Sequence, residues 1–145
     1  MRNNIQILEI IFNNIEYGWI NVDLLLDKEK LINIDFSYVY NPLNDFIYAL
    51  DNLKNKQVDE KIEIDEEGPI LDIIFKNRNK ILEITLERES FKNNKKFKKT
   101  TIFVEKEQFI KDFKEKLIIF YESNRKEFNS KSFKFHFNKN KLRKL

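Results

Sequence analysis

Cysteine is absent from this chain, and histidine occurs once, at position 136. The first absence excludes disulfides, thiolate metal sites and a cysteine nucleophile, and it fits a reducing compartment, so a cytoplasmic location is expected. The second excludes a metal centre built on several imidazoles and obliges any Ser-His-Asp triad to use His136, which stands between two phenylalanines near the C-terminus. Glycine appears only at Gly18 and Gly68, so neither a phosphate-cradling loop nor a dinucleotide fingerprint can be assembled. No apolar run approaches the roughly 18–20 residues needed to cross a bilayer. The opening "MRNNIQILEIIF" has one Arg, an apolar run interrupted by Glu9 and no small-residue cleavage site, so a strand is expected there in place of a leader peptide. Nothing in the composition demands a cofactor, and no metal is expected.

What remains is a chain of 145 residues, 41% hydrophobic and 35% charged, enough for one domain with a real core. Lysine, asparagine, isoleucine and phenylalanine are heavily used, and Ala49 is the only alanine. AT-rich coding produces the same bias, so abundant lysine alone says little about a partner. The net charge of +3 is unevenly spread. Eight of the 27 basic groups and one of the 24 acids lie from Arg125 onward, leaving residues 1–124 at −4. A mildly acidic body of residues 1–124 is followed by a basic tail, 125–145, so the overall pI of 8.9 is poor support for nucleic-acid binding by the folded part.

A first strand of mixed pattern is expected at 5–12, and alternation of apolar and polar residues predicts strands at "WINVDLLL" and at "LINIDFSYVY", with "DKEK" as the turn between these two. In the third of these, Ile32, Ile34, Phe36, Tyr38 and Tyr40 share one face. The pattern then changes. Asn41 suits a helix cap and Pro42 the first helical position. Leu43, Phe46, Ile47, Leu50 and Leu53 form one helical stripe, with Asp45 placed to favour the dipole. A strand follows at 61–65, then a hairpin about "KNRNK", a basic loop or strand extension at 91–100 and a strand at 101–104. A second helix runs from Lys106 to about Ser123. The order predicts an α+β domain: a mainly antiparallel sheet of six to seven strands with two helices packed on one face. The tail alternates Phe133, Phe135 and Phe137 with polar residues and is expected to dock as an edge strand at 133–137; a disordered basic tail is the other option.

Three groups of residues invite a functional reading. "DEKIEIDEE" holds Asp59, Glu60, Glu63, Asp65, Glu66 and Glu67 against one lysine, an acidic rim suited to a basic protein, although an ordinary solvated face would look the same. Tyr17 and Trp19, flanking Gly18, would add an aromatic anchor. Lys95, Lys96, Lys98 and Lys99 in the basic loop, with Lys139, Lys141 and Arg143 in the tail, interleave with phenylalanine and could track a phosphate backbone. Sparse arginine there weakens that second case. The triplets "DEK" at 59–61 and "DFK" at 112–114 match an acid-x-Lys pattern used by metal-dependent nucleases, but chance supplies such triplets in so charged a chain.

"YGWINVDLLL", "FSYVYNPLNDFIYAL", the acidic stretch ending "EEGP" and the final helix "FIKDFKEKLIIFYES" together resemble a family of small, largely uncharacterised bacterial proteins over residues 10–123. That family shows a Gly-Trp near its start and a Ser-Tyr-x-x-Asp-Pro-Leu junction into a short helix. Gly18, Trp19, Ser37, Tyr38, Pro42, Leu43 and Leu50 sit where the pattern expects them, while Asn41 replaces the usual Asp and Gly68 separates Glu67 from Pro69. The resemblance implies a single small domain without established catalytic residues, and immunity proteins that neutralise bacterial toxins are suspected relatives. The expected function is therefore a non-enzymatic protein-binding domain, an immunity- or antitoxin-like inhibitor that covers a basic toxin surface. The alternative is a nucleic-acid-binding protein using the 92–99 loop and the tail.

Overall fold

The computed structural model describes residues 4–90, 95–96, 99–130 and 135–145. Strands β1 (Leu8–Glu16), β2 (Trp19–Leu26) and β3 (Glu29–Ser37) form an antiparallel meander. Helix α1 (Leu43–Asn55) leads to a second antiparallel sheet of β4 (Glu60–Asp65), β5 (Ile70–Arg78) and β6 (Ile81–Ser90). The far side of β6 pairs with the two-residue β7 (Lys95–Lys96) and with β8 (Thr100–Glu105). Helix α2 (Lys106–Ser123) follows, then the short α3 (Arg125–Phe128) and α4 (Lys139–Arg143). The α+β class with antiparallel strands agrees with the periodicities. The strands are shared between two sheets because α1 interrupts the chain between β3 and β4.

Two joints hold the sheets together. On one side the Gln6 N–H donates to the Phe103 carbonyl at 2.8 Å, in a parallel bridge of Gln6 to Val104. On the other, Arg88 of β6 and Glu66, just past β4, reach β3. The Arg88 Nη2 donates to the Asn33 carbonyl at 2.7 Å, and the Asp35 N–H donates to Glu66 Oε2 at 3.1 Å. Arg88 and Glu66 are themselves paired at 3.0 Å. Backbone groups on the outer edge of β3 thus find side-chain partners where no strand adjoins.

Both helices turn their apolar stripes into one buried cluster with the inner faces of the sheets. Leu43, Phe46, Ile47, Leu50 and Leu53 of α1 are buried, as are Phe109, Ile110, Phe113, Leu117 and Phe120 of α2. Phenylalanines link the layers: Phe36 stacks on Phe46 at 5.8 Å and Phe46 on Phe113 at 5.3 Å. Such pairs contribute about 0.5–1.5 kcal/mol each beyond burial.

The local departures from the sequence pattern have definite causes. The first strand has a mixed pattern because Ile11 lies opposite Asp23 on the outer face while Leu8 and Ile10 point inward; the register shift between Phe12 and Asn14 then returns Ile15 to the core. Tyr38 and Tyr40 do not continue the buried face of β3. The last ladder pair is Trp19 with Ser37, so the strand has no neighbour beyond it, and both tyrosines are exposed. The α1 helix starts at Leu43, with Pro42 in the cap position and making no side-chain cap bond. Asn41 acts one residue earlier, its Oδ1 accepting the Leu43 N–H at 3.0 Å.

The tail belongs to the core. Phe135, Phe137, Leu142 and Leu145 are buried with Phe128 in the same cluster as the sheets. Residues 135–138 have no regular structure, and α4 follows them, capped by Asn138 Oδ1 accepting from the Lys141 N–H at 3.0 Å. Phe133 lies outside the described residues.

Candidate protein-binding groove

The six carboxylates of the acidic stretch have different fates. Asp59 Oδ1 accepts the Asn77 N–H at 2.8 Å, and Glu60 Oε1 accepts from Asn52 of α1, also at 2.8 Å. Asp65 Oδ1 accepts the N–H groups of Glu67 and Gly68, fixing the turn into β5. Glu66 sits in the seam with Arg88, its side chain only 10% exposed. Burial pushes its carboxyl above the usual carboxylate range, although the Asp35 N–H and Arg88 pull the other way. Glu67 Oε2 accepts from the Ser37 hydroxyl at 2.8 Å. Glu63 points outward with a 65% exposed side chain, 3.4 Å from Lys61. Much of the acidity visible in the sequence therefore joins turn, helix and sheet. Two apolar residues of β4, Ile62 and Ile64, face the core, so Lys61, Glu63 and Asp65 share the opposite face.

Beside β4 lies the groove that the acidic stretch helps to form. Asp45, Tyr48, Ala49 and Asn52 recur at helical spacing on α1 and face Glu60, Lys61 and Glu63 across a cavity of about 540 Å³. A second cavity of about 520 Å³ continues past Asp45 and Glu63 to Val39, Tyr40 and Asp65. Asp45 makes no hydrogen bond or ion pair among the described residues, and desolvation raises its carboxyl above the ordinary value. Tyr40 and Tyr48 are exposed at the margins. On the other flank of α1, Lys141 from the tail lies 3.3 Å from Asp51 and 4.4 Å above the Tyr48 ring.

Tyr17 and Trp19 stand apart from this groove. Tyr17 occupies the β1–β2 turn with a positive φ and is 83% exposed, while Trp19 is half-buried on the outer face of the first sheet. Asn13, Asn21, Asp23, Asn33 and Asp35 interlock across that same face through side-chain hydrogen bonds of 2.7–3.0 Å.

The basic candidates are also divided. Lys139 stacks 4.7 Å over Tyr121, Lys141 serves Asp51 and Tyr48, and Arg143 lies 3.9 Å from Glu122. Lys99 is exposed. Lys98 and the side chains of Lys95 and Lys96 lie outside the described residues. His136 is exposed, and its carbonyl accepts from Asn41 Nδ2 at 2.7 Å. Asp112, from the second acid-x-Lys triplet, accepts the Ile10 N–H at 2.9 Å and pairs with Lys116 at 3.0 Å, tying α2 to β1. Among the described residues no group of three or more acidic or histidine side chains is placed to hold a metal ion. None of their helices is long and apolar enough to cross a membrane.

No family model, curated protein or solved structure matches the chain.

Sequence reasoning named Glu60, Glu63 and Asp65 only as members of an acidic rim, and it did not connect Asp45, Tyr40 and Tyr48 with them. The α1 stripe carried the missing signal. Asp45, Tyr48 and Asn52 repeat at three and four residues on its polar side, the face that a docked helix turns away from the core.

Proposed function

We propose that this protein is a non-enzymatic protein-binding domain of the immunity or antitoxin type, which occludes a basic surface on its partner with the α1–β4 groove. The observation that carries the reading is the groove itself. Asp45, Glu60, Glu63 and Asp65 line it with Lys61 as the one basic residue, and tyrosines stand at its edge. Acidic lining accelerates encounter with a basic partner and disfavours others, while tyrosine supplies contact area at low entropic cost.

Co-purification from the source cells at moderate salt, after nuclease treatment, tests this. One stoichiometric basic protein is expected. Asp45→Asn combined with Glu63→Lys should weaken that complex at least tenfold while the fold persists, since neither side chain supports the seam or a turn. Asp65 and Glu66 are unsuitable test positions because both hold the structure together. Recovery of nucleic acid with no protein partner would favour the lysine-rich loop instead.

A further inference from the structure

The β4 strand has a paired side and an open side. Its register with β5 runs from Glu60 opposite Phe75 to Asp65 opposite Ile70. Away from β5, no backbone group among the described residues bonds to it. At the Glu66 end, Arg88 and Glu66 close the gap to β3, and at the other end Asn52 of α1 bridges to Glu60; between them, along Lys61–Glu63, the space beside the strand is the groove that α1 borders. An exposed edge with unpaired N–H and C=O groups is a template for another strand.

We infer that the open edge of β4 receives an extended, lysine- or arginine-bearing segment of a partner protein as an added strand lying in the α1–β4 groove. The inference rests on the protein-binding reading above and specifies how the partner is held.

Three observations select this occupant. Glu63 and Asp65 are two residues apart on one face of the strand, about 6.4–6.8 Å along it. Basic residues at every second position of an added strand would stand opposite or diagonal to them. Across the groove, Asp45 of α1 offers a carboxylate with no partner among the described residues, and its raised pKa marks a charge that a cation would relieve. The other flank of α1 already takes a basic side chain in this manner, with Lys141 seated on Asp51 and Tyr48.

Other occupants fit less well. Two copies pairing antiparallel about Glu63 would set one Glu63 against the other, a like-charge contact that opposes self-association. A polyanion would meet the same carboxylates. The dispersed carboxylates suit a row of cations better than one metal ion, and they form no metal-binding group among the described residues.

The test uses the full chain and a short acetylated, amidated peptide of alternating lysine and valine, with a glutamate–valine peptide as control. A third peptide is the lysine sequence N-methylated at alternate residues, so that charge and side chains remain but backbone donors facing β4 are removed. Binding followed by amide resonances and hydrogen exchange should show the lysine peptide protecting alternate amides within 60–65. N-methylation should weaken it by more than about tenfold, the equivalent of one or two backbone hydrogen bonds. The glutamate peptide should not bind. Equal affinity for the N-methylated peptide would overturn strand addition while leaving an acidic protein-binding surface intact. Absence of binding by the lysine peptide at millimolar concentration, protection located away from β4, or dimerisation through β4 without peptide would each overturn the inference. The Asp45→Asn, Glu63→Lys variant separates the two levels: loss of peptide binding there, with equal affinity for the N-methylated peptide, upholds the acidic groove and rejects the added strand.

Discussion

The ring of Tyr38 lies across Gly18. A Cβ built on Gly18 would sit 2.5 Å from Tyr38 Cδ1, and the Tyr38 N–H donates to the Gly18 carbonyl at 2.9 Å. Gly18 also has φ of +82° at the second position of a two-residue hairpin turn, after Tyr17 at +51°. Gly18→Ala therefore meets both backbone strain and a blocked approach. It should lose about 2 kcal/mol in urea unfolding. Combining it with Tyr38→Ala should recover part of that loss, giving a coupling above about 0.5 kcal/mol in the double-mutant cycle. Additive effects would show that the ring yields without cost.

Arg88→Met should cost about 3 kcal/mol at neutral pH, because it leaves Glu66 charged in the seam and the Asn33 carbonyl without its donor. Burial already raises the Glu66 pKa, so its folded value lies above the unfolded one. Protons are then bound more tightly in the folded state, and stability falls as pH rises through that interval. Removing Arg88 raises the folded value further. The penalty should shrink on acidification toward pH 4, which unfolding midpoints at two pH values would reveal.

Asp23 has the opposite sign. The Asn33 amide donates to it, with Asn13 and Lys30 assisting, and these hold its carboxyl below the ordinary value. Its contribution is present above the unfolded carboxylate range, about pH 4, and is lost as pH falls through the lower folded value. Asp23→Asn should cost about 0.5–1 kcal/mol at pH 7. The gap from the parent protein should narrow below pH 4; a gap independent of pH would place the effect in packing and not in charge.

Asn41→Asp isolates a donor. Its Oδ1 role toward Leu43 survives as a carboxylate, but the bond from Nδ2 to the His136 carbonyl is replaced by two acceptors facing each other. The expected loss is about 0.5–1.5 kcal/mol, accompanied by faster hydrogen exchange or proteolysis in residues 135–145. Unchanged protection of those residues would show that the buried phenylalanines and the remaining contacts, such as Lys141 with Asp51, hold the tail without this bond.

That last substitution shows where sequence reasoning reached its limit. Asn and Asp are near-equal as helix caps, so Asn41 looked interchangeable with the Asp of the resembling family. Its second partner is 95 residues away and leaves no local signature. The helices and most strands were legible because their periodicities match their burial: Leu43 to Leu53 and Phe109 to Phe120 each form one stripe, and Ile20, Val22 and Leu24 alternate inward. The way the two sheets are joined was not legible, since it depends on Arg88 and Glu66 meeting β3 across the fold. For the same reason the acidic stretch could be found by composition, while the separate duties of Asp59, Asp65 and Glu66 could not. Asp45 had a sufficient local explanation in the helix dipole, which concealed its place at the groove.

The long-range contacts of the first sheet also set an order of assembly. Each meander closes through short hairpins, whereas Gln6 with Phe103, Ile10 with Asp112 of α2 and Asn33 with Arg88 connect residues separated by 97, 102 and 55 positions. Local hairpins close quickly, and distant pairings wait for larger loops to find their ends. The two meanders are thus early, half-exposed pieces, and the contacts that unite them are late. A change at Arg88 or Asp112 should therefore speed the loss of the finished form while leaving the rate of reaching it nearly unchanged.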